Sequence, residues 1–116
     1  MDNFNENLLV KPKSSDSQIA DFFKVLSHPT RIQILRMLRD QPLCVCEIVP
    51  KFQESQASIS KHLRLMKDLG VLSFSQHGTR NIYSVSDPEI FTIIDQSRQI
   101  LKHMFENSLE QIKQIE

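Results

Sequence analysis

The sequence has almost no glycine: two residues, Gly70 and Gly78, in 116. That leaves no material for a glycine-rich loop that cradles phosphate, and no paired carboxylates or nucleophile–base motif takes its place. Cysteine is equally scarce. Cys44 and Cys46 are the only two, and their C-x-C spacing is not the C-x-x-C of a small thiol oxidoreductase, so the chain does not read as an enzyme. There is no net charge, with 14 Lys and Arg against 14 Asp and Glu, and whole-chain electrostatics therefore select no partner. No apolar run approaches the roughly 20 residues needed to span a bilayer. The opening MDNFNENLLV is polar and acidic and does not resemble an export signal. These absences predict a cytoplasmic chain with reduced thiols and no membrane partner.

What is present has a clear order. The length fits one domain large enough to bury a core. Residues 1–15 are polar and read as a flexible leader. Ile19, Phe22, Phe23 and Leu26 then recur at helical spacing. Pro29, in SHPT, stops that helix and opens the next, with His28 as a cap or turn residue. The second helix turns Ile32, Leu35 and Leu38 inward and leaves Arg31, Arg36 and Arg39 to water. A short third helix starts near Cys44 and runs to about Phe52. A fourth runs from about Gln56 to Leu69 and stops at Gly70. Leu72 and Phe74 alternate with serines, QHGTR supplies a turn, and NIYSV returns as a second strand. Pro88 opens a long last helix to about Gln114. The fold class this predicts is mainly α with a small β-hairpin, a winged helix-turn-helix, with residues 16–87 as its core and 88–116 as a C-terminal dimerisation helix.

Charge is distributed unevenly along this order. Residues 55–86 carry Lys61, Arg64, Lys67 and Arg80 against Asp68 alone, whereas residues 87–116 are net acidic. On the fourth helix, Ile59, Leu63, Met66 and Leu69 form one face. Ala57, Ser60, Lys61 and Arg64 form the opposite face. Ser58 and His62 lie at the boundary, where His62 reads as a packed flank. Small residues allow close approach to base edges, Gln56 and Ser60 can bond bases or phosphates, and Lys61 and Arg64 can neutralise phosphates. In the hairpin, Arg80 near Gly78 suits phosphate or minor-groove contact, with His77 and Thr79 beside it. The predicted contact set for double-stranded operator DNA is Gln56, Ala57, Ser58, Ser60, Lys61, Arg64, His77, Thr79 and Arg80. The competing readings are a solvated amphipathic face, an ordinary polar turn, and a winged-helix module that binds protein instead.

The last helix carries Ile90, Ile94, Leu101, Met104, Phe105 and Ile112 as a broad apolar stripe. Two copies packed through it would form a homodimer with two reading helices across a two-fold axis. The alternative is that the helix folds back on its own domain.

Cys44 and Cys46 admit three readings. They are small buried apolar residues, ligands for a soft ion, or a redox pair. Within a helix, residues i and i+2 lie about 200° apart and their thiols cannot grip one ion. At a helix start they can, and Glu47, three residues after Cys44, gives the spacing of a capping box. Free amides and the helix dipole favour thiolates there. For the redox reading, strain at this spacing favours a bond between chains or to a small thiol.

The segments LSHPTRIQILRMLRD, LCVCEI, SQASISKHLRLMKDLGVL and GTRNIYSV resemble the ArsR (ArsR/SmtB) family of winged-helix repressors, over roughly residues 18–104. The resemblance implies a homodimer that binds operator DNA and releases it when an inducer binds. It also implies that Cys44 and Cys46 are the ligands of a metal or metalloid box, with As(III), Sb(III) or a soft divalent metal as inducer and no obligatory cofactor. A third cysteine found in the family's arsenic-sensing pattern is replaced by Val49. His103 and Glu106 match half of the family's zinc site on the last helix. Ile90 and Thr92 occupy the other half and cannot serve. A redox-responsive repressor, or one that senses no metal, is the alternative within the same fold. The expected route from thiols to DNA is that the short third helix packs on the fourth and tilts it.

Overall fold

The structure, a computed structural model, describes residues 14–115. The first 13 residues of the expected leader lie outside that range. Ser14 already serves as N-cap of helix α1 (Ser15–Val25), its hydroxyl accepting from the Ser17 amide at 3.2 Å. Helix α2 (Pro29–Met37) begins with proline at its first position, and His28 caps it, Nδ1 accepting from the Thr30 amide at 3.2 Å. A two-residue strand β1 (Leu43–Cys44) leads into helix α3 (Val45–Ile48) and a 3-10 turn over Val49–Lys51. Helix α4 (Gln56–Asp68), strands β2 (Leu72–His77) and β3 (Arg80–Val85), and helix α5 (Glu89–Ile115) complete the chain. Among the described residues no helix is long and apolar enough to cross a membrane.

The expected hairpin is part of a three-stranded antiparallel sheet in the order β1-β3-β2. β2 and β3 pair from Leu72↔Val85 to His77↔Arg80, and β1 adds Leu43↔Tyr83 and Cys44↔Ile82 on the other side of β3. A two-residue strand has no alternation to read, so nothing in the sequence marks it. The two-residue loop between His77 and Arg80 opens on Gly78 at φ +65°, the conformation a type II′ hairpin turn requires at its first central position.

Ile34, Leu35, Ile48, Ile59, Leu63 and Met66 are fully buried and join α2, α3 and α4 in one core, closed by Val71, Leu72, Tyr83, Ile90 and Ile94. Ile59, Leu63 and Met66 fall at i, i+4 and i+7, as the periodicity predicts. Leu69 does not join them. It is the C-cap of α4 and 53% exposed. The helix ends in a Schellman motif, with the Gly70 amide donating to the Lys67 carbonyl at 3.0 Å and the Val71 amide to the Met66 carbonyl at 2.8 Å. Gly70 sits at φ +84° with open space where a Cβ would go. Gly70→Ala therefore meets only backbone strain, and chemical denaturation should show a loss of about 1 kcal/mol.

Helix α5 leaves the domain partway along its length. Ile90 and Ile94 are buried, while Ile100, Leu101, Met104, Phe105, Leu109 and Ile112 are 43–65% exposed. The Cα radius of gyration is 18.4 Å, against about 13 Å for a compact chain of 100 residues. The base of α5 is fastened to the end of α2: Arg39 Nη1 and Nη2 donate to both Asp95 oxygens at 3.0 and 2.6 Å, and the guanidinium lies over Phe91. Arg39 is thus committed to an ion pair. The alternative reading, a helix folded back on its own domain, describes the first turns of α5 only.

Candidate nucleic-acid interface and thiol pair

The polar face of α4 is presented outward because its opposite face is consumed by the core. Gln56, Ala57, Lys61 and Arg64 are exposed and Ser60 is half-exposed. Ser55 caps the helix, its hydroxyl accepting from the Ser58 amide at 3.1 Å. Of the residues expected to contact DNA, Ser58 stands apart. It is half-buried, and its hydroxyl donates to Glu54 Oε2 at 2.6 Å. The wing residues His77, Thr79 and Arg80 are all exposed. His77 Nε2 lies 3.2 Å from Ser75 Oγ, and Arg80 Nη2 donates to Glu47 Oε1 at 3.2 Å.

Glu54, a turn residue by sequence, is the hub that seats α4. Its carboxylate accepts from Ser58, from the buried Thr30 hydroxyl at the start of α2, and from His62 Nε2 at 3.2 Å. Arg31 Nε donates to His62 Nδ1 at 3.2 Å, which puts the proton of the neutral ring on Nε2, facing Glu54. Arg31 Nη1 also donates to the Val25 carbonyl at 3.2 Å, and His28 packs on His62 with centroids 4.5 Å apart. His62 is a packed flank, as expected. Arg31 is half-buried in this network and is not left to water.

The hydrogen bonds from Ser58 and then Thr30 hold the Glu54 carboxyl down from its ordinary 4.5 to about 2. A carboxyl whose folded value is depressed contributes stability above its unfolded value and loses it as pH falls toward the folded one. Between pH 4.5 and about 2 the wild-type unfolding free energy should therefore fall more steeply than that of Glu54→Gln. Equal slopes in denaturant titrations across that window would remove Glu54 from the hub.

The capping box predicted from sequence is formed. Cys44 is the N-cap of α3, its sulfur accepting from the Cys46 amide at 3.0 Å, and Glu47 Oε1 accepts from the Cys44 amide at 2.8 Å. Cys44 is buried and Cys46 is exposed. The extended backbone at Cys44 turns its sulfur toward that of Cys46, and the structure joins the two in a disulfide, with Cα atoms 5.0 Å apart. This differs from the expectation of a bond between chains or to a small thiol. The reason is the cap geometry: Cys44 is extended, so the two side chains are not set the roughly 200° apart that two helical steps would impose. Among the described residues no group of three or more His, Cys, Asp or Glu is arranged to hold a metal ion. One chain supplies two thiol sulfurs, and among the described residues His103 and Glu106 belong to no group of three such donors. Cys44 and Cys46 line a cleft of about 380 Å³ together with Gln56 of α4 and Thr79 and Asn81 of the wing.

A family model for bacterial regulatory proteins of the arsR family matches residues 28–73. The chain is 33% identical over 86 residues to the cadmium resistance transcriptional regulatory protein CadC homolog of Staphylococcus aureus, covering 73% of this chain and 71% of that one. It is 30% identical over 87 residues to the arsenical resistance operon repressor of Staphylococcus xylosus, covering 75% and 83%. The crystal structure of Rv0081 from Mycobacterium tuberculosis superposes with a TM-score of 0.74 at 26% identity, covering 84% of this chain and 99% of that one.

Proposed function

The chain belongs to the arsR family of bacterial regulatory proteins and is a transcriptional regulator, not an enzyme; from that premise we propose that it represses by binding operator DNA as a homodimer and releases it when a thiol-directed inducer engages Cys44 and Cys46. The observation that carries the DNA part is the exposed face of α4. Lys61, Arg64, Gln56 and Ala57 face solvent beside an exposed wing, on a helix whose other side is fully buried. The apolar stripe on α5 supports the homodimer. Ile100, Leu101, Met104, Phe105, Leu109 and Ile112 are exposed along one helix. Clustered apolar exposure of this kind marks interaction surfaces, and pairing the stripe would set two reading helices about one DNA turn, roughly 34 Å, apart.

The inducer part rests on the convergence of the two sulfurs. Both cysteines line one cleft, and soft ions prefer the thiolate donors that the reduced pair would offer. Arsenite, antimonite or a soft divalent metal ion fits that donor set, with solvent or a small thiol completing the coordination. The relatives named for cadmium and arsenical resistance support the same chemistry. A second reading is favoured by the disulfide itself. A peroxide could take two electrons and both thiol protons from the pair, closing the disulfide and leaving as alcohol and water. A coupling of about 1–3 kcal/mol between thiols and DNA is enough for a useful switch.

One titration separates these readings. Operator-bound protein is challenged with arsenite, antimonite, cadmium and peroxide, beside Cys44→Ser and Cys46→Ser. Serine is itself a good N-cap, so Cys44→Ser should fold and bind operator as the wild type does. It should fail to release DNA with the agent that releases the wild type. Release undiminished in both variants would end the thiol-sensor reading.

A further inference from the structure

The thiol pair and the wing meet at a single oxygen. Glu47 Oε1 accepts from the Cys44 amide at 2.8 Å and from Arg80 Nη2 at 3.2 Å. Cys44 is also paired through β1 to Ile82 of β3, two residues beyond Arg80. Helix α3 lies against β3, and its first turn shares a cleft with Thr79 and Asn81 of the wing. The thiols therefore sit at the root of the wing, and the most direct route from them to DNA does not pass through a tilt of α4.

We propose that Glu47 is a positioning residue for DNA binding: it holds the wing's Arg80 against the cap of α3, and bridging the two sulfurs strengthens that hold, withdrawing Arg80 from DNA phosphate. This rests on the thiol-sensor reading above. Arg80 cannot neutralise a phosphate and Glu47 at the same time, so the carboxylate competes with DNA for it. The ion pair is more than 45% exposed on both sides. Such pairs are weak, and this one gives way readily when DNA approaches. Its strength depends on how well Glu47 is held. In the disulfide form seen here the first turn of α3 is cross-linked from N-cap to second residue, and Glu47 is fixed from the other side by the Cys44 amide. In the dithiol form the cross-link is gone while the sulfur–amide contact, the Glu47 cap bond and the β1 pairing remain, so the turn is held less firmly and Arg80 exchanges more freely to phosphate. An arsenical that bridges both sulfurs imposes the same constraint. Each thiol gives up its proton, the arsenic-bound oxygen leaves as water, and no electrons are transferred.

The test uses the full chain, operator DNA and phenylarsine oxide as the bridging probe, with Kd measured for dithiol and bridged protein. Glu47→Gln keeps a carbonyl oxygen to accept from the Cys44 amide, so the cap survives, but it removes the charge that holds Arg80. Wild type should bind operator at least about fivefold more weakly when bridged. In Glu47→Gln that ratio should fall close to one, because the bridged form binds more tightly. The dithiol form of the variant should also gain roughly two- to fivefold in affinity, with a steeper salt dependence. Adding Arg80→Ala should erase both effects. A Glu47→Gln protein with the wild-type ratio and the wild-type dithiol affinity would overturn the proposal. If wild type itself shows no response to bridging, the thiol-sensor reading and the bridging half of this proposal fall. The affinity of dithiol Glu47→Gln then still decides whether Glu47 withholds Arg80.

Discussion

Phe105→Glu will yield a folded monomer that has lost at least about a hundredfold in operator affinity. The size of the effect comes from bivalency. Two half-sites read by two linked domains gain roughly 10²–10⁴ over one domain reading alone, and a regulator split into monomers forfeits that gain. Phe105 is the place to split it because the domain makes no use of the side chain: it is 65% exposed, with Leu101, Met104, Leu109 and Ile112 exposed around it. The buried core contacts of α5 are made by Ile90 and Ile94, about three to four turns earlier. The arginine clamp on Asp95 lies at the same end. A carboxylate at position 105 therefore leaves folding intact but meets its own symmetry mate, or apolar side chains, in a dimer built on this stripe. Sedimentation should give a monomer with unchanged helicity, and fluorescence anisotropy the lost affinity. A variant that stays dimeric and binds normally would show that the stripe is not the subunit interface.

The parts of this protein that the sequence made legible are those where periodicity or a local cap carries the signal. Ile59, Leu63 and Met66 declare the buried face of α4 by spacing alone, and Gly70 marks its end because the Schellman geometry requires a positive φ. The Cys44–Glu47 capping box was visible for the same reason, since its two bonds span three residues. What the sequence hid is tertiary. Glu54 looks like any polar turn residue, and only the fold brings Thr30, 24 residues earlier, to its carboxylate. Arg31 looks exposed on its own helix until His62, 31 residues later, takes its proton donor. The Arg80–Glu47 contact spans 33 residues, and β1 is too short for any pattern. Leu69 failed for a different reason. A helical wheel extends indefinitely, but α4 ends one residue earlier, and the C-cap turns away from the face the wheel assigns it.

That exposed face of α4 sets up the second large effect. The double variant Lys61→Ala/Arg64→Ala should lose roughly a thousandfold in operator affinity near 0.15 M salt, and log K against log salt should flatten by about 3.6 units. Each phosphate neutralised on duplex DNA contributes about 0.9 to that slope, and a homodimer loses four cations, two from each chain. A monomer reading one half-site would lose about half as much slope, so the experiment also counts the chains on the DNA. Neither side chain supports the fold. Both are exposed, and the buried residues of the helix are Ile59, Leu63 and Met66, so circular dichroism should be unchanged. Ser60→Ala provides the contrast. It removes no charge, so its slope should match wild type, while discrimination between operator and random DNA should weaken if its hydroxyl reads a base. A double variant with undiminished slope would mean that the cations of α4 do not touch phosphate, and the helix would then have to be read as the solvated face of a protein-binding module.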